Sequence, residues 1–324
     1  MRFFRLTTFA ALISSALVGG MQAIAQDYPT KPVRIIVPYA IGGVTDNSVR
    51  TIVEKLGVRL GQQVIVDNRP GGGGNMGTQL VAQAAPDGYT LLLGFDGNFC
   101  VSPHTYKSLP FDPIRDFAPV TKLGDATIVL VAHPSFPANT LPELIALSKK
   151  KPGSLSFGTA GTGQTSHVVG ELLNFESGID MLHIPYKGGA PALADLIGGQ
   201  IPLVMSFIAG AAPFVKQGRA KAIGVASAKR DPAMPDVPTF LEMGSKVEAT
   251  SWVGILAPAK TPRPIIDRLQ REIAAVLQEA DVRTRYAALG MNPVGNSPDE
   301  FGAQIRADFA KWEPVVKRAK IQAE

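Results

Sequence analysis

Two segments of the sequence place glycines and hydroxyl side chains after a short apolar run and before a helical pattern. The first is "RIIVPYAIGGVTDNSVRTIVEKL" (residues 34–56), which contains the amides of Gly42 and Gly43 and the hydroxyl of Thr45. The second is "SLSFGTAGTGQTSHVVGELL" (residues 154–173). Its candidate donors are the hydroxyl groups and glycine amides of Thr159, Gly161, Thr162, Gly163, Thr165 and Ser166. Backbone N–H groups at a strand-turn-helix junction hold anions, so the two segments are predicted to face one cleft that binds an anion.

Neither segment matches a nucleotide-binding motif. The P-loop requires Gly-Lys-Ser/Thr, whereas Gly43 is followed by Val-Thr-Asp. The dinucleotide fingerprint is absent from both segments, and "PGGGGN" (residues 70–75) lacks the acidic partner that the fingerprint needs downstream. Asp46 would repel a bound anion. We therefore predict that Asp46 satisfies backbone N–H groups in the first turn of its helix, which is a structural role.

A secreted α/β hydrolase is the alternative function. Ser166 and His167 are adjacent in the sequence, and Asp96 and Glu171 are acids that could assist them. Neighbouring residues of a helix point about 100° apart, however, and no Gly-x-Ser-x-Gly nucleophile elbow is present. Binding without catalysis is the favoured hypothesis, with His167 at the start of the helix beside the anion.

Metal and redox chemistry find little support in the sequence. The four histidines, His104, His133, His167 and His183, show no metal-ligand spacing, and His183 falls within an apolar strand pattern. Cys100 is the only cysteine, so no intrachain disulfide can form and the residue is predicted to pack in the core. No metal or cofactor is expected.

Strand and helix patterns alternate along most of the chain. Strand-like runs such as "VRIIVPYA", "YTLLLGF", "ATIVLVAHP" and "LSFGTA" are separated by helical patterns such as "LPELIALSKK" and "APALADLIGG". This alternation is typical of an α/β protein with mostly parallel sheets covered by helices. After "TSWVGILAPA", helices are predicted over residues 262–289 and 298–320, with no further strand.

The N-terminal 25 residues have the pattern of a secretory signal peptide. Arg2 and Arg5 precede an apolar run, and Ala23-Ile24-Ala25 follows it. The run is shorter than the ~20 residues of a transmembrane helix. Export with cleavage after Ala25 is therefore predicted. The chain has 32 basic and 27 acidic residues, a formal net charge of +5, and this mild and scattered excess argues against nucleic acid as a partner.

Several segments, taken together and in order, resemble one family. They are "PYAIGGVTD", "NRPGGGGNMGT", "APDGYTLLLG", "FGTAGTGQTSHVVGELL", "HIPYKGGAPALADLIGGQI" and "MPDVPTFLEMG". The chain is similar in these motifs to the Bug-type extracytoplasmic solute receptors, the binding components of tripartite tricarboxylate transporters. The resemblance covers nearly the whole chain after the leader.

This resemblance implies a two-domain periplasmic binding protein of the Venus-flytrap type. The first domain would combine residues 26–125 and 250–324, and the second would be residues 126–249, with hinges near residues 124–127 and 249–251. The protein would be a periplasmic monomer that encloses a small carboxylate between its domains. Its macromolecular partners would be the membrane subunits of a tripartite tricarboxylate transporter.

The resemblance also assigns the ligand-binding residues. The N-terminal glycine loop, defined as residues 39–45, would contribute Tyr39, Gly42, Gly43 and Thr45. The threonine-rich loop, defined as residues 159–166, and the helix after it would clasp the carboxylate. These residues are Thr159, Gly161, Thr162, Gly163, Gln164, Thr165, Ser166 and His167. Further contacts would come from Phe95, Asn98 and Phe99 and from Ser206 and Phe207.

The sequence departs from the family at positions that bear on the ligand. Many members have small polar residues and a Thr-His pair where this chain has Phe95 and Asn98-Phe99. Members that bind amino acids often carry an aspartate at the position of Ser206, and an unpaired buried ammonium group is costly. The expected ligand is therefore a carboxylate without an amine, and an aromatic or other dicarboxylate is favoured if Phe95, Phe99 and Phe207 line the cleft.

Overall fold

The computed structural model describes residues 28–39, 41, 44–186 and 188–322. The predicted leader and three residues of the N-terminal glycine loop, Ala40, Gly42 and Gly43, lie outside the described residues. Cleavage after Ala25 therefore stays a prediction. Within the described part of the chain, no helix is both long and apolar enough to cross a membrane.

The described chain alternates between strands and helices from Val33 to Ala319. The strands are β1 (Val33–Val37), β2 (Val64–Asn68), β3 (Thr90–Phe95), β4 (Phe117–Ala132), β5 (Leu155–Thr159), β6 (Met181–Pro185), β7 (Leu203–Phe207), β8 (Lys221–Val225), β9 (Thr250–Pro258) and β10 (Met291–Pro293). The helices are α1 (Val44–Leu60), α2 (Asn75–Ala82), α3 (Ser102–Thr105), α4 (Leu141–Lys150), α5 (Thr165–Ser177), α6 (Gly189–Ile197), α7 (Ile208–Lys216), α8 (Arg263–Leu277), α9 (Ala280–Ala288) and α10 (Pro298–Ala319). A short 3-10 turn (Gly72–Gly74) precedes α2, and a π-helical turn (Gly97–Val101) precedes α3.

Two sheets share the long strand β4. The first sheet has the order β2-β1-β3-β9-β4, with β10 also paired to β4. The second sheet has the order β4-β7-β5-β6, with β8 on the other side of β4. Residues 117–127 of β4 pair with β9, and residues 128–132 pair with β7 and β8.

The strand directions confirm the predicted fold class. In the first sheet β1, β2 and β3 are mutually parallel, and β9 runs against both β3 and β4. In the second sheet β5, β6, β7 and β8 share one direction and β4 opposes them. Most strands of each sheet thus point the same way. Consequently, the carboxyl ends of β1, β2 and β3 meet at one edge, where ligands of open α/β sheets bind.

The local sequence explains where the main elements begin and why they are buried. Three consecutive β1 residues, Ile35, Ile36 and Val37, are fully buried, as expected for a strand covered by helices on both faces. Helix α10 begins with a capping box in which Ser297 and Glu300 satisfy each other's backbone N–H groups. One core cluster is continuous between the sheets, since it includes Phe99 and Trp252 as well as Phe157 and Val169.

The structure corrects the sequence prediction at two places. Strand β4 begins at Phe117 rather than near Ala126, and its early part contains Pro119, Gly124 and two register shifts that hide the strand pattern. The three-residue strand β10 lies in the C-terminal part, where no strand was predicted, because it is too short to show a periodicity. The predicted packing of Cys100 in the core is confirmed.

Candidate functional site

A cleft of about 360 Å³ lies between the carboxyl edge of the first sheet and the threonine-rich loop of the second. Its lining comes from the segments after β1, β2, β3 and β5 and from α3. The residues that line it are Pro38, Tyr39, Pro70, Gly71, Gly74, Phe95, Gly97, Asn98, Ser102, Thr105, Tyr106, Thr162, Gly163 and Gln164. No charged side chain occurs among these lining residues. Six of them were predicted site residues, and the structure brings them together from both sheets.

The wall formed by the first sheet combines aromatic rings with an amide. The rings of Tyr39 and Phe95 meet edge to face, with centroids 5.9 Å apart and an interplanar angle of 86°. The Tyr39 hydroxyl donates to Oδ1 of Asn98, and Nδ2 of Asn98 donates to Oδ1 of Asn75 at 3.3 Å. Gly74 permits this arrangement, because it has a φ of 99° and a Cβ there would lie 2.7 Å from Nδ2 of Asn98. We call this set of side chains, Tyr39, Phe95 and Asn98, the aromatic wall.

The threonine-rich loop uses most of its donors internally, and this corrects the expectation that its glycine amides are free. The Gly161 N–H donates to Oγ1 of Thr159 at 3.2 Å, and the Gly163 N–H donates to Nδ1 of His167 at 3.1 Å. The Thr159 hydroxyl also lies 2.7 Å from Nε2 of His183. These bonds fix the loop, because buried backbone and hydroxyl groups are costly to leave unpaired.

Three polar side chains of the same segment take no part in these bonds, and one of them, Ser166, is 2% exposed and is not itself a lining residue of the cleft. Oγ of Ser166 is buried and has no hydrogen-bond partner among the described residues. It lies in the first turn of α5, whose N-terminus has no side-chain cap. Thr162 and Gln164 are exposed on the loop and line the cleft. A buried hydroxyl beside an uncapped helix N-terminus is a suitable donor to an anion.

His167 and His183 form a stacked pair beneath the loop. Their ring centroids are 3.6 Å apart and the rings are nearly parallel, at 12°. Burial, with a smaller contribution from His183, lowers the pKa of His167 to about 3, and burial lowers the pKa of His183 to about 4. Both rings are therefore neutral near pH 7. Nδ1 of His167 accepts from the Gly163 amide and its Nε2 is 3.8 Å from Glu171, so the ring supports the loop and makes no hydrogen bond with Ser166 in the described structure.

Asp96 joins the two sides at the base of the cleft, a role that the sequence did not predict. The residue is 1% exposed, and it lies between the lining residues Phe95 and Gly97. Its Oδ2 accepts from the Thr165 hydroxyl at 2.9 Å, and its Oδ1 accepts from the Ser251 hydroxyl at 2.6 Å. Burial raises the pKa of Asp96 to about 7, although these two hydrogen bonds oppose the rise. The Thr165 hydroxyl is thus bound to Asp96.

Nine of the described predicted site residues are outside the cleft lining, namely Thr45, Phe99, Thr159, Gly161, Thr165, Ser166, His167, Ser206 and Phe207. Four of them, Thr45, Phe99, Ser206 and Phe207, also lie outside the threonine-rich segment. Phe99 is fully buried, and its ring contacts Phe117 with centroids 5.1 Å apart, so its prediction as a cleft wall is corrected to a core role. Ser206 lies at the end of β7, paired with β4, and the next residue, Phe207, packs against the core. Thr45 lies in α1, where its carbonyl accepts from the Ser48 hydroxyl at 2.7 Å.

Asp46 has a structural role, in which its carboxylate accepts hydrogen bonds from the side chains of Arg50 and Asn68. The carboxylate is fully buried, with Oδ2 accepting from Nε of Arg50 at 2.8 Å and Oδ1 accepting from Nδ2 of Asn68 at 2.9 Å. Because the pair with Arg50 offsets its charge, Asp46 can lie near an anion-binding loop without an unpaired negative charge.

Other lining residues were missed, and some had a usable signal. Pro70, Gly71 and Gly74 belong to "PGGGGN", which directly follows β2 and therefore lies at the same sheet edge as the ends of β1 and β3. The residues Ser102, Thr105 and Tyr106 follow an irregular π-helical turn, whose geometry no sequence pattern indicates.

Comparison with known proteins gives a consistent assignment. The family model described as tripartite tricarboxylate transporter family receptor matches residues 48–321. Three solved structures are similar to the chain over nearly its whole length. The periplasmic binding protein BugD is 36% identical, with 92% of this chain and 100% of that chain covered and a TM-score of 0.73. The protein Rpa4515 from R. palustris, solved with adipate, is 33% identical, with coverage of 91% and 99% and a TM-score of 0.77. MatC from Rhodopseudomonas palustris, solved with bound malate, is 34% identical, with coverage of 89% and 100% and a TM-score of 0.73.

The matched model extends over most of the chain, and the similar structures share its two-sheet fold with high coverage. These similar proteins are solute-binding receptors rather than enzymes, which disfavours the hydrolase alternative built on Ser166 and His167. The chain therefore belongs to the tripartite tricarboxylate transporter receptor family, as a periplasmic solute-binding protein.

Proposed function

We propose that this receptor captures a small carboxylate without an amine in the cleft between its two sheets and presents it to membrane transporter subunits. The observation that carries the proposal is the buried hydroxyl of Ser166, which has no hydrogen-bond partner in the described structure. This hydroxyl lies beside the uncapped N-terminus of α5, within a segment that lines the cleft. Because a buried polar group is costly unless it is hydrogen-bonded, an occupant with an acceptor oxygen is favoured at this position.

The absence of charged side chains from the described lining restricts the ligand further. The neutral lining donors Thr162 and Gln164 can hold a carboxylate together with the helix N-terminus, and Ser166 in the first turn of that helix is a further neutral donor. An ammonium group would need a carboxylate partner or several acceptor oxygens. The position of Ser206, where an acid would pair with an amine in related receptors, carries a hydroxyl and lies outside the cleft lining.

The aromatic wall supports a ligand with a flat or extended apolar part. Phe95 lines the cleft, whereas Phe99 is buried, and Tyr106 adds a second phenol to the lining. The solved relatives with adipate and malate hold aliphatic dicarboxylates, so a dicarboxylate is the class to test first. An aromatic dicarboxylate would place one carboxylate at the threonine-rich loop and its ring against Phe95.

The ligand would be enclosed by movement of two lobes. We infer that the first lobe is residues 26–125 with residues 250–324 and that the second is residues 126–249. In support, β4 changes its partner strands between Thr127 and Ile128, and β9 begins at Thr250. A hinge at these two crossings predicts a smaller radius of gyration with saturating ligand. Identical X-ray scattering profiles with and without the ligand would contradict lobe closure.

We also propose that the N-terminal leader directs export and that the exported protein meets membrane transporter subunits. Export with cleavage after Ala25 would deliver a monomer to the periplasm, where it meets its membrane subunits. Mass spectrometry of the protein purified from that compartment should give a chain that begins at Gln26. A chain retaining residues 1–25 would contradict cleavage.

A thermal-shift screen with matched ligands tests the central proposal. The panel contains adipate, malate, succinate and terephthalate, and each amine-free acid is compared with an amino acid of similar size, such as succinate with aspartate. A ligand at 100 times its Kd stabilises the protein by ~2.7 kcal/mol, which gives a clear shift in Tm. Stabilisation by amine-free carboxylates alone is the expected result. Equal stabilisation by aspartate, or shifts with sugars or nucleotides only, would contradict the proposal.

A further inference from the structure

Among the described residues, Asp96 is a buried acid that lies between two lining residues of the cleft, Phe95 and Gly97, and bonds to Thr165 on the opposite side. It follows β3 of the first sheet, while Thr165, which donates to it, is the first residue of α5 beside the second sheet. Its other donor, Ser251, belongs to β9 at the crossing between the sheets. Both donors are neutral hydroxyls. The acid therefore ties the start of the anion-binding helix to the first sheet without an ion pair that offsets its charge.

The ionisable groups around Asp96 do not supply a positive charge. Tyr39 and Cys100 face it and are both kept neutral, since burial raises the pKa of each well above its usual value. Asp308, on α10, is a second acid, and it forms an ion pair of 3.1 Å with Lys311. On α5, His167 is neutral because burial lowers its pKa. Among the described residues, no cation forms a salt bridge with Asp96.

We propose that Asp96 is a positioning residue for the Thr162–Ser166 segment and that capture of an anion in the cleft is accompanied by uptake of a proton on the Asp96 carboxyl group. The inference rests on the proposed function, since it requires a carboxylate ligand next to α5.

The physical reason is repulsion between like charges in a buried site. Thr165 contacts the Asp96 carboxylate, and the next residue, Ser166, carries the hydroxyl assigned to the ligand. A carboxylate bound at Ser166 therefore lies close to Asp96, where it favours the neutral acid and raises the pKa of Asp96 further from about 7. A protonated carboxyl still has an oxygen that accepts a hydrogen bond, so the contact between the two sides is kept.

Linkage gives the expected pH dependence. If the bound anion raises the pKa of Asp96 by about one unit, the affinity falls roughly fivefold to tenfold between about pH 6.5 and about pH 8.5. Near pH 7.4, binding takes up about half a proton by the same relation.

Isothermal titration in buffers with different ionisation enthalpies measures this uptake. The probe is whichever of adipate, malate, succinate and terephthalate binds most tightly, and the carboxyl groups of all four are ionised at pH 7. The titrations use HEPES, imidazole and Tris. The apparent enthalpy should vary linearly with the buffer enthalpy in the wild-type protein, with a slope that shows proton uptake. No such slope is expected for Asp96→Asn, which keeps the shape and acceptor oxygen but cannot titrate.

Asp308→Asn is the control for a neighbouring acid outside the cleft. Because the Asp308 charge contributes to the raised pKa of Asp96, the uptake should persist in this variant with its maximum at a lower pH. Binding without proton uptake in the wild type would overturn the inference while leaving the proposed function intact. Uptake that persists in Asp96→Asn, or that is absent from Asp308→Asn at every pH between about 6 and about 8.5, would also overturn it. If none of the four acids binds, the proposed function and this inference both fail.

A spectroscopic measurement on the wild type covers the case in which Asp96→Asn does not fold. Infrared difference spectra of the protein with and without the probe should gain the C=O stretching band of a protonated carboxyl group near pH 8. Because the probe itself is ionised at this pH, the band would come from the protein. A flat difference spectrum in this region would overturn proton uptake.

Discussion

The two sides of the cleft present different chemical groups, hydroxyls and amides on one side and mainly aromatic rings on the other. On the threonine-rich side, hydroxyls and amides bond to one another and to two neutral histidines, and the Ser166 hydroxyl is left for an outside acceptor. On the aromatic side, rings and an amide form the wall, with Tyr39 bonded to Asn98. The first side is suited to a charged oxygen. The second is suited to an apolar part of the ligand.

The comparison shows that a loop rich in donors need not offer many of them. Most donors of the threonine-rich loop fix its shape, so that the remaining ones are already oriented before the ligand arrives. Such preorganisation reduces the loss of conformational freedom on binding. The two sides also differ in the sign of their response to pH, because neutral histidines support one side and a buried acid belongs to the other.

The largest expected effect is a loss of folding stability at low pH, caused by His167 beneath the threonine-rich loop. His167 has a folded-state pKa of about 3 against an ordinary value of 6.5, so the unfolded chain binds the extra proton. Stability due to His167 is therefore present above pH 6.5 and falls by about 1.4 kcal/mol per pH unit below it, to a total of about 5 kcal/mol. In His167→Asn, Oδ1 can still accept from the Gly163 amide, but the side chain does not titrate. Urea unfolding between pH 4 and pH 7 should show a flatter pH dependence for this variant. Parallel curves for the two proteins would contradict a buried neutral histidine.

Asp96 should make the free energy of unfolding depend on pH in the opposite direction. Its folded-state pKa of about 7 exceeds the ordinary value of 3.8, so the folded protein holds the proton more tightly than the unfolded chain. The wild type should lose stability as pH rises from about 4 to about 7, by up to about 4 kcal/mol, and Asp96→Asn should lack this loss. Because the histidine effect opposes it over much of this range, the difference between the variant and the wild type at each pH is the quantity to measure. If the difference in unfolding free energy does not change with pH, the pKa of Asp96 is not raised in the folded protein.

Removal of the Ser166 hydroxyl should weaken binding without unfolding the protein. Hydrogen bonds to charged groups contribute ~1.5 to 3 kcal/mol, so Ser166→Ala should lower the affinity for the best carboxylate by roughly tenfold to a hundredfold. Ser177→Ala is the matched control, since Ser177 lies at the other end of α5 and its Oγ is also buried without a partner in the described structure. Isothermal titration should show normal affinity for the control. Equal affinities for all three proteins would place the carboxylate elsewhere.

The sequence was informative where a feature depends on local pattern. A strand, a glycine turn and a helix each have a local sequence pattern. These patterns predicted the threonine-rich loop after β5 and the glycine loop after β1. The use of the donors is not local. Gly163 bonds to His167 four residues later, but Thr165 bonds to Asp96, 69 residues away, and Thr159 bonds to His183 on the neighbouring strand. Such pairings depend on the packing of the two sheets, which no single segment encodes.

The two neighbouring phenylalanines show the same limit at closer range. Phe95 and Phe99 are four residues apart and equally apolar, so their composition does not separate a wall from a core residue. The π-helical turn at Gly97–Val101 turns Phe99 towards Phe117 and Trp252, whereas Phe95 stays beside Tyr39. The outcome depends on a backbone irregularity that hydrophobic periodicity does not reveal.

Phe95 provides the test of the aromatic side. Truncation to alanine removes apolar contact area and an edge-to-face contact, so Phe95→Ala should weaken the binding of terephthalate by about 2 kcal/mol at ~25 cal/mol per Å². A short acid such as malate, if it is held at the threonine-rich loop without contact to Phe95, should be nearly unaffected. The ratio of the two affinities, measured by isothermal titration, is the informative quantity because it cancels a general loss of folded protein. Phe99→Leu is the control, since it alters the core next to Phe117 and should lower the Tm while leaving the ratio unchanged. If Phe95→Ala weakens both acids equally, Phe95 acts on the shape of the whole cleft, and the ligand need not contain a ring.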